Sequence, residues 1–141
     1  MPDFKVSFDA AGTATWGRLA RTNESLSTVS YAGWLGVRLQ IEGRGNAYLK
    51  CFLTGMDDVS PDGKVPKGFG ALEMTDLDGD QLWGKVDWYR EKNIDKGLVT
   101  FKSGSGKWRE ASGEIPITLF YWDEGSLNIG FLEGRGILRL T

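Results

Sequence analysis

The amino-acid sequence predicts an all-β protein, a single antiparallel sheet closed into a barrel. Three observations carry this. Apolar and polar residues alternate at period two along most of the chain, and no window of helical length shows a capped 3.6-residue period. Clusters of Gly, Asp, Asn and Ser separate the alternating runs at about one strand length, the spacing of sandwiches and barrels. Glycine is abundant, at 20 of 141 residues. Gly33, Gly36, Gly70, Gly84, Gly130 and Gly134 fall inside strand runs. Such glycines mark bends or close backbone approach, which favours a small barrel over a sandwich.

The runs follow in order. Phe4, Val6 and Phe8 alternate with Lys5 and Ser7. Val37, Leu39 and Ile41 share one face, as do Ala47, Leu49, Cys51 and Leu53. Phe69 to Thr75 is a further strand run. Leu82, Val86 and Trp88 oppose Trp83, Lys85 and Asp87. Ile115, Ile117, Leu119 and Tyr121 oppose Thr118, Phe120 and Trp122, and Leu138 and Leu140 follow. Turns are expected at Asp9–Gly12, Ser60–Gly63, Asp76–Asp80, Asn93–Gly97, Ser103–Gly106 and Asp123–Ser126. A single helical turn fits only near Asn23–Ser25 or Glu91–Lys92. Gly55 to Gly68, with Pro61 and Pro66, is the longest irregular stretch. It reads as a flap over a barrel mouth or as an ordinary connection.

Composition narrows the function. The 141 residues fit one domain, 1–141, long enough to build a core without disulfides or metal. Seventeen Lys and Arg against nineteen Asp and Glu leave no basic surplus for phosphates, so no nucleic-acid partner is expected. Zero histidines remove Ser-His-Asp chemistry and the commonest zinc sites. The single Cys51 lies on an apolar face and reads as a buried, inert thiol. The start of the sequence has no secretory pattern, and no apolar run reaches the roughly 20 residues of a membrane helix. The expectation is a cytoplasmic protein without a membrane partner.

One stretch carries a resemblance. Thr75-Asp76-Leu77-Asp78-Gly79-Asp80-Gln81-Leu82-Trp83 precedes Lys96-Gly97-Leu98-Val99-Thr100-Phe101-Lys102-Ser103-Gly104-Ser105-Gly106-Lys107-Trp108-Arg109-Glu110-Ala111-Ser112-Gly113. The pattern is similar to that of the allene oxide cyclase-like barrels, relatives in fold of plant dirigent proteins and of bacterial barrel cyclases such as spirotetronate-forming Diels–Alderases. It covers about a quarter of the chain, and Glu110 stands where that family usually has glycine. The resemblance implies a closed antiparallel barrel of about eight strands around a central apolar cavity. It also implies an apolar small molecule in that cavity, with cyclisation or isomerisation as the chemistry. Gly104-Ser105-Gly106-Lys107-Trp108 would be a tight corner plugged by Trp108. No catalytic residue is carried across.

The candidate residues come from the sequence itself. Six tryptophans and four tyrosines are many for this length. Each one suits core filling; together they suit an apolar cavity with a few polar handles. Trp16, Trp34, Tyr48, Trp83, Trp88 and Trp122 are the ligand-binding candidates, with Trp88 and Tyr121 in phase with apolar neighbours. Glu73 is in phase with Phe69 and Ala71 but opposite Leu72 and Met74, which leaves its side of the sheet open. Facing inward, it would be a general acid with a raised pKa; facing outward, a solvated strand residue. Tyr121 or Glu73 would polarise a substrate carbonyl. Asp76, Asp78, Asp80 and Asp87 mimic part of a calcium loop, but Gln81 replaces the required glycine, so a hairpin turn is the reading. No metal or cofactor is expected.

The functional expectation is a cofactor-independent cyclase or isomerase for a polyketide-, terpenoid- or lipid-like substrate, acting mainly through orientation. The alternative is a lipocalin-like carrier. A homodimer is compatible with either. The string Glu-Gly-Arg-Gly occurs twice, at Glu42–Gly45 and Glu133–Gly136. It reads as a device that bends barrel strands, with a hairpin turn as the other reading of the first copy and a continuous strand expected at the second.

Overall fold

A computed structural model describes residues 2–141. Nine strands follow in order: β1 (Asp3–Trp16), β2 (Ala20–Asn23), β3 (Leu26–Ile41), β4 (Gly45–Val59), β5 (Lys67–Asp76), β6 (Gln81–Glu91), β7 (Ile94–Gly104), β8 (Ser112–Glu124) and β9 (Leu127–Arg139). Every pairing is antiparallel. Strands β3 to β9 form a meander, and β1 pairs with both β9 and β3. Eight strands therefore close a barrel, and the short β2 adds a ninth on the flank of β3.

Period two decides what lies inside. On β3, Val29, Tyr31, Gly33, Leu35, Val37, Leu39 and Ile41 are buried, and the residues alternating with them are exposed or, at Ala32, half-buried. The other strands repeat this, so one hydrophobic core fills the barrel. Phe8, Leu39, Met74, Leu82, Phe101, Ile115 and Leu138 are fully buried there. Cys51 is fully buried with them, and burial followed by the nearby Glu73 charge pushes its thiol up to about 12. It is an inert thiol.

One end of the barrel is sealed. A 3-10 turn at Gly106–Trp108 folds inward and buries Trp108, the plug the motif implied. Trp108 Nε1–H donates to Asp76 Oδ2 at 3.0 Å, and Lys107 Nζ lies 2.7 Å from both Asp76 and Asp78. Burial disfavours ionised Asp76, but Lys107, Trp108 and the backbone N–H groups of Asp80 and Asp78 outweigh it and hold the carboxyl at about 2. The Asp-rich turn is a hairpin between β5 and β6, and its carboxylates gather round a lysine.

Four local expectations are corrected. Asp9–Gly12 is not a turn, because β1 runs on to Trp16; the backbone of β3 passes so close to Gly12 that no Cβ would fit. Strand β4 continues to Val59, which reduces the irregular stretch to residues 60–66. Asn93–Gly97 is mostly strand: the turn is Lys92–Asn93, both at positive φ, the two-residue geometry that suits a twisted hairpin. The first Glu-Gly-Arg-Gly copy is the β3–β4 hairpin, closed by Arg44 N–H to Ile41 C=O at 2.9 Å. Its Arg44 guanidinium sits 4.6 Å above the Phe4 ring. The second copy is continuous β9, as expected.

Among the described residues, no helix is long and apolar enough to cross a membrane.

Candidate functional site

The end opposite Trp108 is open. There the C-terminal halves of β1, β4, β6 and β8 meet the N-terminal halves of β3, β7 and β9 around a pocket of about 70 Å³. Its walls include Trp16, Tyr31, Leu53, Trp88, Leu119 and Tyr121, and Val65 reaches its lip from residues 60–66. Space of this size holds about five waters, or a similar handful of heavy atoms.

The floor is an aromatic pair. Tyr31 on β3 and Trp88 on β6 both point inward, and Trp88 Nε1–H donates to Tyr31 Oη at 2.9 Å. The Tyr31 hydroxyl in turn donates to the Phe69 carbonyl at 3.0 Å. It fits only because Gly55 and Gly70 lie beneath it: a Cβ on either would run into the hydroxyl. Burial raises the Tyr31 pKa, the Trp88 hydrogen bond opposes this, and the Asp57 charge adds to it. Tyr31 stays a neutral phenol.

Asp57 is the polar group that stands out. By whole-residue exposure, 8%, it is the only buried charged residue among the described residues, and it lines the pocket. Its Oδ1 is shut from solvent without a hydrogen-bond partner, packed against Gly68 where a side chain would clash. Burial, then the negative charges of Asp58 and Asp95, pushes its carboxyl up to about 7. A carboxyl near 7 both accepts and donates a proton at neutral pH. Tyr121, on the same wall, is raised by burial first and then by Asp95 and Asp123, so its hydroxyl stays a donor. Of the cations nearby, Arg90 pairs with Asp95, and Lys96, which also lines the pocket, lies 3.8 Å from Glu91.

The structure divides the sequence candidates by strand phase. Trp16, Trp88 and Tyr121 come together in the pocket. Glu73 does not: Leu72 and Met74 take the inside of β5, so Glu73 faces water and is excluded from the pocket. Trp34, Tyr48, Trp83 and Trp122 also point outward, because Leu35, Leu49, Leu82 and Tyr121 occupy the inward phase. Their aromatic surface is spent outside. Trp34 packs on Phe52 at 5.1 Å between ring centres, Trp122 meets Phe131 edge-on at 6.1 Å, Trp83 Nε1–H bonds Gln81 Oε1, and the Tyr48 hydroxyl accepts from Asn46.

Sequence reasoning missed Asp57. The signal was present: Leu49, Cys51, Leu53, Gly55, Asp57 and Val59 all fall on one face of β4. Reading Gly55 as the start of a loop hid it.

These features define a closed eight-stranded meander barrel, plugged at one end and open at the other onto a pocket lined by Asp57 and Asp95. Comparison with known proteins finds no matching family model, no matching curated protein and no matching solved structure.

Proposed function

We propose that this protein is a small-molecule-binding barrel enzyme, a cofactor-independent cyclase or isomerase acting in the cytoplasm on a largely apolar polyketide-, terpenoid- or lipid-like substrate. The mouth pocket is the polar end of the ligand cavity. The resemblance to allene oxide cyclase-like barrels points the same way, and the closed barrel agrees with it. The observation that carries the proposal is Asp57, a buried carboxyl poised near neutrality on a largely apolar wall. Such a group suits proton transfer. It takes a proton from one position of the substrate and returns it to another, while the Tyr121 hydroxyl donates to a substrate oxygen. The aromatic walls hold the substrate in its reactive conformation.

The test begins with native mass spectrometry of the protein purified from its own host, to identify the bound molecule. Turnover of that molecule is then compared in wild type and Asp57→Asn. A fall of about 10²–10⁴ in kcat with binding retained supports the acid/base role. Activity resting on ionised Asp57 rises as pH increases through about 7 and then levels off. Unchanged ligand with wild type and variant alike makes the protein a carrier.

A further inference from the structure

We infer that the pocket receives a cationic nitrogen, the alkylated ammonium end of an otherwise apolar molecule. The inference rests on the mouth pocket being the ligand site, as proposed above, and does not depend on any reaction. Three independent observations converge. The first is the unpartnered carboxyl: Asp57 is more than nine-tenths buried, and among the described residues its Oδ1 has no hydrogen-bond partner and no cation pairs with it. A buried ionised group without a partner is costly, so a ligand that brings the missing positive charge gains what the protein lacks.

The second is the wall. Trp16, Trp88, Tyr31 and Tyr121 line the same small space as Asp57. Aromatic faces carry negative charge density, and several of them around a pocket form the cage that recognises methylated ammonium groups. An anionic ligand would meet Asp57, with Asp58 and Asp95 beside it; the pocket-lining cation Lys96 already lies 3.8 Å from Glu91. The third is size. A volume of about 70 Å³ matches a head of four or five heavy atoms by the measure of about five waters. The rest of the ligand lies along Leu119, Val65 and the open mouth.

Neutral and ionised Asp57 behave differently toward this ligand. A quaternary ammonium ion selects the ionised form and releases the proton to solvent. A neutral amine takes that proton itself, giving carboxylate and ammonium with no net release. The titratable and charged groups near Asp57 are Tyr31 on β3, Asp58 on its own β4, Arg90 on β6, Asp95 and Lys96 on β7, and Tyr121 on β8.

The probes are hexyltrimethylammonium, hexan-1-ol and hexanoate, which share one chain and differ in charge. Binding to the full protein at about pH 8 is read from the fluorescence of the pocket tryptophans and from the thermal midpoint. The expected result is that the cation binds at least about tenfold more tightly than the alcohol, and hexanoate more weakly than both. Asp57→Asn brings the cation down to the level of the alcohol. Trp16→Ala, which keeps the acid, lowers the affinity for the cation more than that for the alcohol. Equal binding of cation and alcohol, or tighter binding of hexanoate, overturns the inference and leaves the pocket standing as an apolar site. A cation preference that survives Asp57→Asn also overturns it. Failure of all three probes to bind overturns both the inference and the pocket reading on which it rests.

Discussion

Asp57 is kept inside the barrel against its own solvation, and its removal is expected to stabilise the fold. Its carboxyl shifts from 3.8 in the unfolded chain to about 7 in the native state. The raised value means that the native state holds a proton the unfolded state has lost. Stability from this group is therefore full below about pH 4, falls as pH rises to about 7, and is flat above that. At about 1.4 kcal/mol per unit the penalty is roughly 4 kcal/mol at most. Asp57→Asn leaves a buried amide behind, so a gain of about 1–2 kcal/mol is expected near pH 8 and almost none near pH 4. Urea denaturation at the two pH values checks this; an equal effect at both removes Asp57 as the titrating group. The same residue shows what was hidden at this scale. An Asp two positions after an in-strand glycine looks like loop, and only its phase with Leu49 and Leu53 places it inside.

At the scale of elements, the Tyr31–Trp88 floor ties β3 to β6 across the barrel, with β5 accepting the last hydrogen bond. It depends on missing side chains at Gly55 and Gly70. Gly70→Ala drives a methyl into the Tyr31 hydroxyl and is expected to cost about 1–3 kcal/mol. Tyr31→Phe strands the Trp88 N–H and costs a similar amount, about 1–3 kcal/mol. The double variant is expected to lose clearly less than the sum, because the phenyl ring leaves space for the methyl. Strict additivity in a denaturation cycle would show that the hydroxyl does not set the glycine requirement. Strand periodicity made most elements legible in advance, whereas the Trp108 corner was expected from the resemblance carried by Gly104–Trp108. The two copies of Glu-Gly-Arg-Gly show the limit. The same four residues are a hairpin after Ile41 and continuous strand after Leu132, since pairing partners decide the outcome: β4 follows the first copy immediately, whereas β8 runs alongside the second.

For the whole molecule, the two ends titrate in opposite senses. The plugged end relies on Asp76, whose carboxyl is lowered to about 2, so its contribution is present above about pH 4 and is lost as pH falls toward 2. The open end loses stability as pH rises toward 7. Stability against urea is expected to peak near pH 4–5. Asp76→Asn lowers and flattens the acid limb, and Asp57→Asn flattens the limb toward neutral pH. A peak that stays at neutral pH in the wild type would show that neither end governs the profile. The closed all-β architecture was readable from alternation and in-strand glycines. The position of the pocket was not, because it depends on which barrel end the Trp108 corner fills, and that is a matter of long-range pairing.

The seam of the barrel has a consequence for how the chain is made. Strand β1 needs both β3 and β9, and its Asp3 pairs with Arg139. On the ribosome, β1 emerges well before its second partner exists. During that interval one edge of β1 carries unpaired N–H and C=O groups beside apolar side chains, a surface open to mispairing with other chains. Closure becomes available only when β9 has been released into solution, so the barrel matures after synthesis of its last strand and not strand by strand during it.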